Sequence, residues 1–405
     1  MTPPQVNLRH FCALDDIADT GRLSDAADRL SLTQSALTQA LRRLEDAAGC
    51  ALFERTGFGV TETASGRLLV RRARRSIHLF AKAEHEIGVP VGGRPLHRHV
   101  SASQLRALVA VVETGGYSTA ARRLRISQPS VHRAVKETVA AIGIDLVLRG
   151  TRGIEPTDAA RVLARHAELV FAELRQGFED VREKRGVTDS RIAIGSLPLA
   201  RSEFLPTAIT RLLSKHPDAR VSILDGPYVE QLHALRYSQV DWLIGALRDP
   251  VPTPDVRQQH LFEQPLAVVV RPGHPLLSTK SPSVAALAEL DWIAPRQLAP
   301  ARRFFDDFFS GKGVETPTRI IECSSLIATR GLLLQSDRAA LLSPLQVRAD
   351  VAAGELAVLI EAVPDSSRAI GVTTRENWEP TRMQAEFTQI LRELAADVAS
   401  GLPAL

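Results

Sequence analysis

The feature of this sequence that most constrains its fold is a duplication within its first half. When the chain is aligned with itself at an offset of 94 residues, residues 13–73 match residues 107–167 without a gap. The matched positions include Thr20-Gly21 with Thr114-Gly115, Ala26-Ala27 with Ala120-Ala121, and Arg29-Leu30 with Arg123-Leu124. A repeat of this length is too long for one solenoid unit, and it suits a small domain with its connector. The chain therefore begins with two copies of one domain.

Each copy carries the pattern of short helices joined by tight turns. Apolar residues at helical spacing, such as Leu8, Phe11 and Leu14, predict an amphipathic first helix. Ser24 and its counterpart Ser118 are predicted N-caps of a second helix, because a hydroxyl can accept hydrogen bonds from free backbone N–H groups. Paired alanines in this second helix would let a neighbouring helix approach closely.

The third helix of each copy combines an apolar inner face with a polar outer face, and Thr33 and Ser127 are its predicted N-caps. Glutamine can pair with adenine, and arginine or lysine with guanine or phosphate. A solvated polar face is the alternative for one copy taken alone, but its repetition in the same frame favours DNA binding. The predicted DNA-binding residues are Thr33, Gln34, Ser35, Thr38, Gln39 and Arg42 in the first copy, and Ser127, Gln128, Pro129, Ser130, His132, Arg133 and Lys136 in the second.

The distribution of charge agrees with a polyanionic partner for the first half. Residues 1–100 contain 14 Lys/Arg against 11 Asp/Glu, residues 101–190 contain the same numbers, and the remainder has a net charge of −2. A basic surplus confined to the repeated domains favours nucleic acid as their ligand.

The first copy also carries a long, specific pattern, formed by Gly21-Arg22-Leu23-Ser24-Asp25-Ala26-Ala27, Thr33-Gln34-Ser35-Ala36-Leu37-Thr38 and Leu52-Phe53-Glu54-Arg55. This pattern resembles the winged helix-turn-helix of LysR-type transcriptional regulators. The resemblance implies that the third helix enters the major groove and that a wing contacts the DNA backbone. The wings would lie near residues 57–59 and 151–153, with Arg55 and Arg149 placed for phosphate contacts.

The second copy departs from this pattern at several positions. Glu45 is replaced by Val139, and Phe53-Glu54 by Val147-Leu148. The second copy is therefore either a second DNA-binding domain or a module used for protein–protein contact.

Two helical connectors follow the repeated domains, at residues 63–87 and 157–185. In LysR-type regulators such a helix pairs two protomers, so the resemblance implies a homo-oligomer, either a dimer or a tetramer. The predicted boundaries are 1–62 for the first winged helix-turn-helix domain, 63–100 for a connector helix with a Pro/Gly loop, 101–156 for the second domain, 157–188 for a linker or dimerisation helix, and 189–400 for an effector-binding domain.

The C-terminal half is predicted to be an α/β domain. Apolar runs at residues 191–195, 221–224, 242–245 and 266–270 alternate with helical stretches, which predicts a largely parallel sheet. The region resembles the LysR-type effector domain, which has a two-lobed, periplasmic-binding-protein-like fold. The expected fold class is therefore multidomain, with two tandem all-α winged helix-turn-helix domains before this effector domain.

Ligands of open α/β sheets bind at the carboxyl ends of strands, often beside helix N-termini that favour anions. Segments at such positions match those that line the effector pocket of the family, usually for a small carboxylate. A serine that only caps a helix is the alternative for each position. The predicted effector-binding residues are Ser196, Leu197, Pro198, Arg248, Ser324 and Ser325.

The sequence carries no motif of a nucleotide-binding, metalloprotease or serine-hydrolase site, so an enzyme with an α/β domain is the less favoured alternative. No Cys-x-x-Cys pair indicates a metal site, and no cofactor is expected. The start of the chain lacks a secretory pattern and no apolar run could span a bilayer, which indicates a cytoplasmic protein without membrane contact. The expected partners are double-stranded DNA, a small-molecule effector, further copies of the chain and RNA polymerase.

Overall fold

The computed structural model describes residues 6–89, 95–150, 153–297 and 299–400. The chain divides into two units, the first extending to Ser190 and the second beginning at Arg191. The first unit contains α1 (Leu8–Thr20), α2 (Leu23–Leu30), α3 (Gln34–Ala48), β1 (Phe53–Thr56), β2 (Gly59–Glu62), α4 (Ala64–Ile87), α5 (Leu96–His99), α6 (Ala102–Thr114), α7 (Tyr117–Leu124), α8 (Gln128–Ile142), β3 (Val147–Gly150), β4 (Gly153–Pro156) and α9 (Asp158–Lys184).

Each repeat thus forms three helices, a two-stranded antiparallel wing and a long helix. The predicted apolar stripe of the first helix is confirmed, because Leu8, Phe11 and Leu14 are each at most 1% exposed. Ala26 and Ala27 are also buried, so α2 packs closely on its neighbours through small side chains.

The second helices begin earlier than the sequence predicted. Ser24 and Ser118 lie inside the first turns of α2 and α7 and do not cap them. The preceding helices end at Gly21 and Gly115, which adopt left-handed backbone angles and turn the chain directly into the next helix. The hydroxyl of Ser24 instead contacts Asp25.

The long helices α4 and α9 pack against each other in antiparallel orientation. Arg71 lies 3.7 Å from Asp180 at one end of the pair, and Arg165 lies 2.6 Å from Glu86 at the other. The 94-residue offset places Arg165 at the position of Arg71 and Asp180 at that of Glu86. The two repeats are therefore related by an approximate two-fold axis, and the faces that the sequence offered for pairing between protomers are buried within one chain.

A buried charge network joins the centre of this helix pair. The guanidinium of Arg72 is fully buried and donates to Asp180 (2.9 Å), Glu173 (3.0 Å) and Gln176 (3.2 Å). Burial alone would lower the pKa of Arg72, but the two carboxylates raise it above its ordinary value. A buried charge of this kind depends on its partners to offset the loss of hydration.

The second unit contains β5 (Arg191–Ser196), α10 (Phe204–Lys215), β6 (Arg220–Asp225), α11 (Tyr228–Arg236), β7 (Trp242–Ala246), β8 (Val256–Gln264), β9 (Ala267–Val270), α12 (Val284–Ala288), β10 (Trp292–Ala294), α13 (Pro300–Ser310), β11 (Ile320–Glu322), α14 (Leu326–Leu334), β12 (Ala339–Leu342), α15 (Pro344–Ala352), β13 (Ala357–Ile360), β14 (Arg368–Arg375) and α16 (Arg382–Ala399). Two short 3₁₀ turns lie at Pro198–Arg201 and Pro275–Ser278.

These strands form two lobes, each built on a five-stranded sheet. The strand order is β6-β5-β7-β14-β8 in the first lobe and β11-β10-β12-β9-β13 in the second. The prediction of a largely parallel sheet is wrong, because both sheets are mixed. Strand β14 runs antiparallel to β7 and β8, and β9 runs antiparallel to β12 and β13. The chain enters the second sheet through β9 and returns to the first through β14, so these two strands oppose their neighbours.

Candidate nucleic-acid interface and ligand cleft

The outer face of α3 is polar and open to solvent. Leu37, Leu41 and Leu44 are buried on its inner face, which leaves Gln34, Ser35, Gln39 and Arg42 exposed. The predicted cap is confirmed, since the hydroxyl of Thr33 accepts a hydrogen bond from the backbone N–H of Ala36. Thr38 is half-buried, and its hydroxyl donates to the carbonyl oxygen of Gln34, so it is less free than its neighbours.

The outer face of α8 is similar but more restrained. Its predicted cap is also confirmed, with Ser127 accepting from the backbone of Ser130. The amide oxygen of Gln128 accepts from Ser118 at 2.9 Å, and the ring of His132 lies edge-on to Tyr117 with 5.1 Å between centroids. One concave surface on this face is lined by Gln128, Pro129, His132, Arg133 and Lys136.

A carboxylate attaches the first wing to α3. Glu45 of α3 accepts hydrogen bonds from the backbone of Leu52 and Phe53, at 2.8 and 3.4 Å. Arg55 is exposed on β1, where it can reach a phosphate. In the second copy Val139 replaces Glu45 and offers no acceptor for such a bond. The side chain of Arg149 and residues 151–152 lie outside the described part of the chain.

Each long connector reaches across to the other repeat. Arg185, which caps the end of α9, donates to the carbonyl oxygen of Ala48 at the end of α3 (3.0 Å). His99, in the short helix after α4, places Nε2 3.2 Å from the carbonyl oxygen of Ala141 near the end of α8. The C-terminal ends of α3 and α8 are thus each held by a segment that follows one of the long connector helices.

In the second unit, the predicted residues divide between the two lobes. Ser196 ends β5 with its side chain buried, and Leu197 is also buried, whereas Pro198 is exposed at the start of a 3₁₀ turn. Ser324 and Ser325 follow β11 in the second lobe, where Ser325 caps α14 through the backbone N–H of Ala328. The lobes meet where α15 packs on the 3₁₀ turn after Ser196.

Arg248 follows β7, which is parallel to β5, so Arg248 and Ser196 lie at the same end of the first sheet. We call this end of the sheet the edge. Its guanidinium lies 4.0 Å from the ring centre of Tyr228, and its backbone is held by hydrogen bonds to Gln258. Burial lowers the pKa of Arg248, and the nearby Tyr228 raises it less. The side chain is therefore fixed by packing while its charge is poorly compensated.

Two further arginines on this edge were not predicted from the sequence. Arg201 donates to the backbone oxygen of Ser196 (2.6 Å), and burial lowers its pKa more than Asp225 raises it. Arg368 begins β14, and its buried Nε and Nη2 atoms have no hydrogen-bond partner among the described residues. Burial lowers the pKa of Arg368 to about 10. The sequence contains 50 Lys and Arg residues, and nothing in it marks Arg368 as a candidate binding residue except its position at the start of an apolar strand.

The strand order brings these arginines to one edge. Strands β5, β7 and β14 are neighbours, and β14 runs antiparallel to β7, so its first residue lies at the end of β7. The backbone N–H of Leu247 bonds to the carbonyl of Ala369, and the next step along this ladder is Arg248 opposite Arg368. The edge thus concentrates positive charge that can be balanced by a bound anion.

The described residues contain no group of His, Cys, Asp and Glu that could hold a metal ion. Within the same part of the chain, no helix is both long and apolar enough to cross a bilayer.

The comparisons with known proteins cover both units. A model of the LysR substrate binding domain matches residues 185–396, and a model of the bacterial regulatory helix-turn-helix protein of the lysR family matches twice, at residues 8–67 and 102–161. The HTH-type transcriptional regulator GalR of Pseudomonas putida is 34% identical over 393 residues, which cover 97% of this chain and 98% of that protein. PcaQ of Agrobacterium fabrum is 29% identical over 73% of this chain and 96% of its own length.

Solved structures show the same fold at lower identity. A full-length OxyR variant from Pseudomonas aeruginosa has a TM-score of 0.53 at 20% identity, covering 75% of this chain and 96% of its own. CbnR, described as a LysR family transcriptional regulator, has a TM-score of 0.50 at 21% identity, covering 72% of this chain and 98% of its own. On the domain matches and the full-length similarity to GalR, the chain belongs to the LysR family of bacterial transcriptional regulators and is not an enzyme.

Proposed function

We propose that this regulator binds specific DNA sequences through the outer faces of both α3 and α8. The observation that carries the proposal is the repetition of an exposed polar face on a helix whose inner face is buried and whose ends are fixed. Gln34 and Gln128 occupy equivalent positions at the first turn of these helices, where side chains of a reading helix contact base edges. Arg42, Lys136 and Arg55 are available for phosphates or guanine.

A second candidate role for the second module is contact with another protein. Leu148 replaces Glu54 on its wing and is 56% exposed, and Ile126 beside α8 is 47% exposed. Apolar side chains at these positions favour a protein partner over a phosphate backbone. Variants of the full-length chain that are substituted only in α8 discriminate the two roles. Their base preference should change if α8 contacts DNA and should stay the same if it contacts a protein.

Substitution of Gln34 or Gln128 by alanine is expected to weaken binding to the preferred duplex by about 1–3 kcal/mol and to relax base preference at one position. The physical reason is the loss of a bidentate amide contact with a base edge. Gel-shift titration against a set of single-base variants of the operator measures both effects. Unchanged affinity and preference for the Gln128 variant would favour the protein-contact role of the second module.

Arg55→Ala serves as the matched control for these glutamine variants. A phosphate contact carries no sequence information, so this variant should weaken binding to all duplexes similarly and reduce the salt dependence of affinity. A change in base preference at Arg55 would instead place the wing in a groove.

We further propose that a small anion binds to the arginine edge formed by Arg201, Arg248 and Arg368, with Ser196 beside it. Support comes from the shared burial of these guanidinium groups and from the packing of α15 against the turn that holds Arg201. Ser324 and Ser325 on the opposite lobe would approach the same ligand when the lobes close. The ligand affects DNA binding only if it prefers one of two conformations, by a coupling of about 1–3 kcal/mol.

We infer that the regulator acts as a homo-oligomer, a dimer or a tetramer, and meets RNA polymerase at promoters in the cytoplasm, where its DNA target lies. Support comes from its membership of a family of transcriptional regulators. Because α4 and α9 are already paired with each other, other surfaces must supply most of the contacts between chains.

A further inference from the structure

We propose that one chain carries a complete and asymmetric pair of DNA readers, so that its operator consists of two unlike half-sites in a fixed order. The inference rests on the proposed role of α3 and α8 in DNA binding. It adds that the pair is formed by α4 and α9 of the same chain, and that a symmetric pairing between two chains is disfavoured by the residues of this interface.

The approximate two-fold axis allows the alternative pairings to be compared position by position. In a pair of two α4 helices, each residue of α9 would be replaced by the α4 residue 94 positions earlier. Arg72 would then keep one carboxylate, because Glu86 is the counterpart of Asp180. It would lose Glu173 and Gln176 and meet their counterparts Leu79 and Lys82. A buried arginine would exchange a carboxylate for an apolar side chain and face a second cation, which is unfavourable at low dielectric.

Packing also disfavours a pair of two α4 helices. A Cβ atom at Gly177 of α9 would lie 2.8 Å from Leu69 Cδ2 and 3.3 Å from Arg72 Cβ. The counterpart of Gly177 in α4 is Ala83, which carries that Cβ atom. Two α4 helices would therefore have to displace the side chain of Leu69 or move apart at the position where α4 and α9 are in close contact.

A pair of two α9 helices fails for the opposite reason. The residue of α9 that corresponds to Arg72 is His166, and burial together with Arg165 lowers the pKa of His166 to about 4, against the opposing effect of Glu86. The imidazole of His166 would then replace the guanidinium of Arg72 beside Glu173 and Asp180. Arg165 would reach Asp180 at the position of Glu86, but Glu173 would also lose Arg75, whose counterpart is Leu169. Each kind of symmetric pair thus leaves charges unbalanced, whereas α4 with α9 balances them.

The two readers held by this pair are different. The equivalent positions of α3 and α8 share a glutamine, Gln34 and Gln128, but differ at the following outward positions. They are Ser35 and Pro129, Thr38 and His132, Gln39 and Arg133, and Arg42 and Lys136. Because donor and acceptor patterns at the base edges are read by these side chains, the two half-sites should share one base pair and differ elsewhere.

The first experiment tests the pairing without DNA. In the full chain with Cys12, Cys50 and Cys323 replaced by serine, Glu86→Cys and Arg165→Cys are introduced and joined by a short bismaleimide. The expected product has the mass of one chain and altered mobility on a denaturing gel, since these side chains are in contact. The control pair is Arg74→Cys with Arg165→Cys, because Arg74 is exposed and contacts Asp15 of α1. A product with the mass of two chains would overturn the proposal.

The second experiment tests the operator, using duplexes selected from a random pool by the full-length protein. Gln34→Ala should weaken footprint protection selectively at one half-site, and Gln128→Ala at the other, with the order fixed relative to flanking DNA. Equal weakening of both half-sites by each variant would show symmetric reading and refute the inference. If Gln34→Ala affected one half-site and Gln128→Ala had no effect, DNA reading by both modules would be refuted. An intrachain cross-link would still support the pairing of α4 with α9.

Discussion

Replacing Arg72 by alanine is expected to lower the free energy of unfolding of the N-terminal unit by about 3–5 kcal/mol. Glu173 and Asp180 have side chains that are only 7% and 6% exposed, and the substitution removes a guanidinium that contacts both of them. Glu173 would keep Arg75 at 2.9 Å, and Asp180 would keep the more distant Arg71 at 3.7 Å. Breaking a buried ion pair from one side is more costly than replacing both partners, because the buried carboxylates remain with less positive charge to compensate them. The loss is comparable with the whole stability of many domains.

The chain offers a separate readout for each unit. All three tryptophans, Trp242, Trp292 and Trp378, belong to the second unit, while most of the first unit is helical. In urea, the Arg72→Ala variant should therefore lose helical circular dichroism early and keep its tryptophan transition. Arg74→Ala is the matched control, since Arg74 is 56% exposed and a surface ion pair contributes at most about 1 kcal/mol. Equal effects of the two variants would show that the buried network is not needed for folding.

The stability deficit of Arg72→Ala should also depend on pH. Burial raises the pKa of Asp180, and Arg72 opposes that increase, so removal of Arg72 should raise this pKa further. A carboxyl group with a raised pKa in the folded state favours folding below its unfolded pKa, and this contribution is lost as pH rises through the folded pKa. The deficit relative to the parent protein should be largest at neutral pH and should shrink toward pH 4. If the stability deficit did not change with pH, the loss would come from packing alone.

The repeat and the local chemistry of α3 and α8 could be predicted from the sequence. The match at 94 residues defines two modules, and a hydroxyl before a polar helix defines the caps at Thr33 and Ser127. Both signals are local and depend on backbone hydrogen bonds that neighbouring residues satisfy. The prediction that Ser24 and Ser118 are N-caps was wrong. Gly21 and Gly115 adopt left-handed backbone angles and turn the chain, so the next helix begins before each serine.

Long-range pairings were harder to predict. The spacing of apolar residues in α4 indicates that one face is buried, but it does not identify the helix that buries it. Arg72 has the same appearance in the sequence as the exposed Arg74, and only the opposite helix distinguishes them. The mixed strand directions in the two sheets were not predicted for a similar reason, because strand direction depends on how the chain passes between the lobes.

Replacing Arg368 by methionine is expected to have opposite effects on stability and on ligand binding. The folded protein holds a charged guanidinium with two buried nitrogen atoms that have no partner among the described residues. The lowered pKa shows that folding disfavours this charge, so its removal should stabilise the ligand-free second unit by about 1–3 kcal/mol. The same substitution should weaken binding of an anion by about 2–5 kcal/mol, because the ligand would lose a charged partner in a buried site.

Thermal unfolding followed by tryptophan fluorescence measures both effects in the full-length chain, first alone and then with a panel of small mono-, di- and tricarboxylates. The parent protein should be stabilised by at least one of these compounds, and the Arg368→Met variant should melt higher without ligand and respond less. Arg257→Met is the control, since Arg257 is exposed on the neighbouring β8 and should change neither value. A lower melting temperature for the ligand-free Arg368→Met variant would mean that Arg368 supports the fold. The anion site would then have to be sought elsewhere, because a side chain kept for stability does not need a ligand to balance its charge.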